Sequence, residues 1–230
     1  ASGVLRQNPF GFLTWPEGVW SVEMWAGVDG CRGGWCLVIW DTKTVRSRFC
    51  ASFVEVLQAT RTCSKIAVDM PIGLPRRGEK RACDQQARQL LGKQASSIFP
   101  APPREALAAT TFEELKGWGL SLQSFYLFGK IREIEAAITP PLQVRIHEAH
   151  PELAFRTRAN SPLEKKKTPS GKQQRRQLLP FEPGPLPGVG VDDLLDASIL
   201  AVVARALDEG TARRCYGGLD TRGLTMEICF

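Results

Sequence analysis

The sequence has no CxxC pair among its seven cysteines, only two histidines, and no apolar run approaching the roughly 18–20 residues that a bilayer span requires. An odd set of cysteines, scattered through segments that read as strands and helices, argues against a zinc cluster or a disulfide framework. Buried reduced thiols are expected instead. Residues 1–22 contain Trp15 and Trp20, but no basic segment leading into a continuous apolar core and a small-residue cleavage site. No signal peptide is read there, no membrane partner is expected, and a cytoplasmic location follows as the expectation. There is no internal repeat. What is present is 230 residues, 43% hydrophobic and 23% charged, enough for one globular core. The formal charge of +6 suits a polyanionic partner such as nucleic acid, although charge alone does not require one.

Along the chain, "MWAGVDG" from Met24 reads as an apolar strand, and "GWCLVIWD" and "VRSRFCAS" as two more, separated by a polar turn at Asp41–Lys43. These three form an expected meander. "SFVEVLQATR" has helical spacing at Phe53, Val56 and Leu57, and "KIAVDMPIGLP" is a short strand halted by Pro71 and Gly73. Strand, helix, strand implies a parallel pairing. A helix near Glu79–Leu91, a Pro-rich loop "IFPAPPREAL" and a long helix around Leu122–Ile138 follow, the last ended by Pro140 and Pro141. Then come a strand "QVRIHEAHPE", a basic loop "SPLEKKKTPSGKQQRR", a Pro/Gly linker, the helix "VDDLLDASILAVVARAL" and a terminal strand "LTMEICF".

Acidic residues recur at one kind of position. Asp29 ends the first strand, Asp69 the fourth, Glu148 lies in the fifth, and Asp192, Asp193 and Asp196 open the last long helix. Parallel first and fourth strands would bring Asp29 and Asp69 to the same sheet edge, where α/β proteins place their sites. Asp193 and Asp196 are three apart and share a helix face. Carboxylates this close repel unless a cation lies between them, and Mg²⁺ or Mn²⁺ is the economical choice. Each group also has a plainer reading. Aspartates in a first helical turn complement the helix dipole, with Asp192 a plausible N-cap. Asp29–Gly30 also fits a turn. Asp69 resists such a reading, because apolar neighbours on both sides would otherwise leave it an unpaired buried charge. His147 and His150 point to opposite faces if they lie in a strand, so structural hydrogen bonding or an indirect role for His150 is expected.

"AGVDGCRGGW", "IAVDMPIGLP", "RACDQQARQLLG" with "SSIFPAP", "HEAHPELAF" and "DDLLDA" with "RGLTMEI" resemble, in that order, the bacterial domain-of-unknown-function family 429, described as predicted RNase H-like nucleases. The resemblance implies an α/β domain over residues 23–230 with an RNase H-like fold: a five-stranded mixed sheet, its first three strands antiparallel, flanked by helices. Residues 1–22 lie outside it, as an extension or a misjudged start. In Holliday-junction resolvases of that fold an Asp on the first strand, an acidic residue on the fourth and a D-x-x-D on the last helix bind metal. By this resemblance Asp29, Asp69, Asp193 and Asp196 are the implied ligands of Mg²⁺ or Mn²⁺, with Glu148 a further catalytic candidate. Leu122 stands where the family pattern has a basic residue.

Three functions compete. In the first, the chain is a metal-dependent nuclease whose basic loop, with Lys165, Lys166, Lys167, Lys172, Arg175 and Arg176, grips the phosphate backbone, with Arg76, Arg77, Lys80 and Arg81 bordering the same groove. Solvated faces are the plain alternative for both runs. In the second, "DGCRGG" cradles a phosphate in a phosphotransferase of the actin and sugar-kinase type, although 230 residues are short for that two-domain architecture. In the third, the chain is a catalytically idle nucleic-acid-binding protein.

Overall fold

The computed structural model describes residues 23–230, together with two short strands, Arg6–Gln7 and Leu13–Thr14, that pair antiparallel. The expectations for residues 1–22 otherwise fall outside the described residues. The centre is an α/β arrangement around a five-stranded mixed sheet. Its strands are β1 (Trp25–Cys31), β2 (Gly34–Trp40), β3 (Val45–Cys50), β4 (Lys65–Val68) and β5 (Ile146–Glu148), in spatial order β3-β2-β1-β4-β5. The first three pair antiparallel, while β4 runs parallel to both β1 and β5. Near-continuous apolar composition puts β1 and β4 at the centre, and the alternating polarity of β3 suits an edge. The turn between β1 and β2 lies at Arg32–Gly33, where Gly33 has φ 78°. Asp29–Gly30 is therefore within the strand, and the turn reading of that pair does not hold.

Helices cover both faces. On one, α1 (Phe53–Ala59) and α4 (Phe128–Ala137) bury Phe53, Val56, Phe128, Ile131 and Ile134 against Val28, Leu37 and Val68. On the other, α8 (Val191–Asp208) joins α2 (Ala82–Leu91) and α6 (Pro151–Arg158) over Cys36, Val38 and Ala67. Gly27 sets the approach of α8, because a Cβ there would overlap the carbonyl of Ala197 and the amide of Ala201. A small residue is required where backbone meets backbone.

Several local expectations change. The helix expected over Leu122–Ile138 divides at Leu127 into α3 (Leu122–Tyr126) and α4. The two prolines open a short turn, α5 (Pro140–Gln143), because Pro loses no bond at a first helical position. Half of the expected basic loop is helix α7 (Pro169–Gln177): Thr168 caps it by accepting from the Gly171 amide at 3.0 Å, and Pro169 follows. The terminal strand β7 (Thr225–Cys229) pairs with β6 (Arg214–Leu219). Gly190, not Asp192, is the N-cap of α8, and Asp192 pairs with Lys172 at 3.0 Å. All seven cysteines are buried and free. Among the described residues no helix is long and apolar enough to cross a membrane.

Candidate metal centre

The parallel pairing of β1 with β4 places two carboxylates side by side. The Asp69 amide donates to the Val28 carbonyl at 2.9 Å, so Asp69 leaves β4 directly beside Asp29. The first two turns of α8 bring Asp193 and Asp196 to the same cavity, of about 660 Å³. Asp29 and Asp196 are buried, while Asp69 and Asp193 are half-buried. Burial pushes the Asp29 carboxyl well above its ordinary range, and the charges of Asp69, Asp196 and Asp193 push it further. Asp69 is raised to about 7 by burial, with Lys166 pulling the other way. Asp196 rises to about 6 for the same reason, again against Lys166, and Asp193 is raised in the same direction.

Lys166 is the counter-charge. Its Nζ lies 2.8 Å from Asp196 Oδ2. Burial works against its proton, but Asp196, Asp29 and Asp69 outweigh it and hold the ammonium charged. A cation is thus already placed among oxygen donors from β1, the end of β4 and α8. Hard carboxylate oxygens and a position that attracts positive charge fit Mg²⁺ or Mn²⁺. No three of the four aspartates have oxygens all within 4.8 Å; among the described residues the group that meets that closeness is His147, Glu227 and Cys229. These three could also hold an ion. His147 Nδ1 lies 2.7 Å from Glu227 Oε1, however, and Glu227 also receives Arg214 at 3.3 Å, so the carboxylate already has its partners.

Glu148 lines the cavity but is otherwise engaged. Both its oxygens receive Arg81 at 2.6 Å, and Oε2 also receives the Ile72 amide at 2.8 Å. Arg81 in turn binds Asp84 at 2.5 Å. Burial disfavours the Arg81 charge, yet Glu148 and Asp84 outweigh that and keep it protonated. This buried triad braces the loop that follows Asp69. Glu148 thus positions the site, its oxygens being taken up by Arg81 and the Ile72 amide.

The basic candidates divide. Lys165, Lys166 and Lys167 line the cavity and are solvent-exposed along much of their length. Arg175 also borders it, but is 2% exposed and donates to both oxygens of Glu152 and to two backbone carbonyls. It anchors α7. Lys172 turns to Asp192 and Arg176 to Glu182. Arg76 and Arg77 do not line the cavity, Arg77 lying over the Trp118 ring at 4.2 Å. His150 caps α6, accepting from the Leu153 amide, and its Nε2 lies 3.4 Å from the Ser97 carbonyl. It reaches the cavity wall and burial lowers its pKa, whereas His147 stays with Glu227. The sequence pattern gave no role to Lys93 or to Ser96–Phe99, which also line the cavity. The quoted "SSIFPAP" was the available signal.

Across residues 27–221 the chain matches a family model described as "Protein of unknown function (DUF429)". No curated protein and no solved structure matches the chain.

Proposed function

The chain belongs to the family described as Protein of unknown function (DUF429), and from its carboxylate-floored cavity we propose that it is a metal-dependent nuclease with an RNase H-like domain over residues 23–230. The observation that carries this reading is the convergence of Asp29, Asp69, Asp193 and Asp196, from three separate segments, on one cavity that already attracts the ammonium of Lys166. An α/β protein has no structural reason to gather four mutually repelling carboxylates at the ends of parallel strands.

Asp29, Asp69, Asp193 and Asp196 would hold Mg²⁺ or Mn²⁺. The bound cation would supply activation of a water and neutralisation of charge on the phosphate oxygens. Lys166 leaves Asp196 as the carboxylates engage, and its Nζ is then free to meet a phosphate oxygen. Lys165 and Lys167, at the same wall, draw in the nucleic-acid backbone. Glu148 and Arg81 keep the Met70–Gly73 loop, and with it Asp69, from shifting when charge enters.

One observation favours a second reading. If Lys166 is the permanent cation of the site, the chain binds nucleic acid without cutting it. Calorimetric titration of Mn²⁺ into the wild type and Asp69→Asn separates the two. The nuclease reading expects binding to the wild type, at least tenfold weakened in the variant, and Mn²⁺-dependent cleavage in a screen of single-stranded, duplex, junction and hybrid substrates. Absence of Mn²⁺ binding to the wild type overturns it.

A further inference from the structure

Phe99 is an aromatic side chain in the cavity that holds the carboxylates. It is 39% exposed, and it lines the same cavity as the four aspartates and the lysines. A lone exposed phenylalanine on a protein surface is unremarkable. This one lies on the wall of a half-open cavity, between backbone groups that are held in place. The Ile98 carbonyl before it accepts from Arg88 at 2.6 Å, and the Ala101 amide just beyond it donates to Asp84 at 3.0 Å. Asp84 belongs to the buried triad with Arg81 and Glu148. The brace that fixes the loop after Asp69 therefore also fixes Phe99.

The cavity thus offers three kinds of surface. It has a carboxylate floor, lysines at the wall, and an aromatic ring with open area. A volume of about 660 Å³ falls within the range of sites that enclose a small ligand. A nucleotide matches them, with its phosphate toward the lysines, its base against the ring, and the floor reached only through the cation it would hold. A base inside a duplex cannot do this, because both its faces are covered by its neighbours. Stacking on an aromatic side chain requires a base that is unpaired and splayed out.

We infer that the site takes an unpaired nucleotide, presented by single-stranded nucleic acid, and that Phe99 is its stacking platform. This rests on the nuclease reading of the same cavity. Lys93, exposed and lining the same cavity, adds a second phosphate contact.

Fluorescence anisotropy tests it with one labelled oligonucleotide, single-stranded or annealed to its complement, in EDTA so that no metal-dependent cleavage occurs. The wild type should bind the single strand more tightly than the duplex. Phe99→Ala should weaken single-strand binding about 5- to 150-fold, leave duplex binding unchanged, and be rescued by Phe99→Trp. Unaltered single-strand affinity in Phe99→Ala, or tighter wild-type binding to duplex, overturns the inference. Competition by an unlabelled nucleoside monophosphate, set against a DNA and an RNA strand, identifies which source supplies the nucleotide; a strong competitor of any of these kinds that loses its advantage in Phe99→Ala supports the inference. The Mn²⁺ titration is read separately on the same variants. Failure of Phe99 with Mn²⁺ binding intact removes the stacking inference alone, whereas loss of Mn²⁺ binding in the wild type removes the nuclease reading and leaves the anisotropy result to stand by itself.

Discussion

Asp69, just beyond β4, and Glu148, at the end of β5, line one cavity, and burial raises both carboxyls to about 7, but only Glu148 has a buried guanidinium on both its oxygens. Asp69 is poorly compensated, and its carboxyl is raised to about 7, chiefly by burial. An aspartate in an unfolded chain titrates near 3.9. The native state therefore holds the proton more tightly, and the stability tied to that proton is complete below about pH 4 and lost as pH rises through about 7. In EDTA, Asp69→Asn should match the wild type near pH 4 and gain on the order of 1 kcal/mol at pH 8, read by urea denaturation at the two pH values. For Glu148→Gln the lost pairing with Arg81 decides, and the variant should be less stable. It leaves the Arg81 guanidinium buried with one carboxylate fewer, at a cost of about 3–5 kcal/mol at pH 8, above the Glu148 pKa of about 7. A Glu148→Gln variant with wild-type stability would show that the triad is not the brace described.

At the scale of elements, the contact between β1 and α8 fixes where the aspartates stand. Asp29 is two residues beyond Gly27, and Asp196 is adjacent to Ala197, whose carbonyl lies against Gly27. Gly27→Ala should force the helix away and destabilise the fold by roughly 3 kcal/mol or more, as overpacking of a rigid core does. If the variant folds, its Mn²⁺ affinity should fall as well, because the two acidic segments separate. Thermal unfolding and calorimetry measure both effects. The sequence pattern was sufficient for β1–β4 and α8, whose apolar spacing is strong. It missed α7, because "PSGKQQRRQ" has almost no apolar face to reveal a helical period. Only the Thr168–Pro169 cap signalled a helix start there. It joined α3 to α4, since the break at Leu127 interrupts no apolar repeat.

For the whole molecule, a cation bound by the folded state and not by the unfolded chain stabilises the fold by mass action. At Mn²⁺ about 100 times its dissociation constant, the gain is about 2.7 kcal/mol, or roughly 5–10 °C for a chain of this size. Differential scanning calorimetry should show that rise, its reversal by EDTA, and a much smaller rise in Asp69→Asn. The sequence by itself determined that aspartates stand at strand and helix ends among apolar neighbours, and that parallel first and fourth strands would gather them at one sheet edge. Only the tertiary structure decided which cations meet them. Lys166 lies 30 positions from Asp196, and Arg81 lies 67 from Glu148. Local spacing encodes periodicity along an element, whereas partners so far apart are chosen by how the elements pack. That is why Glu148 and Arg175, both plausible site residues in the sequence, serve as buried anchors, and why Phe99 faces the cavity.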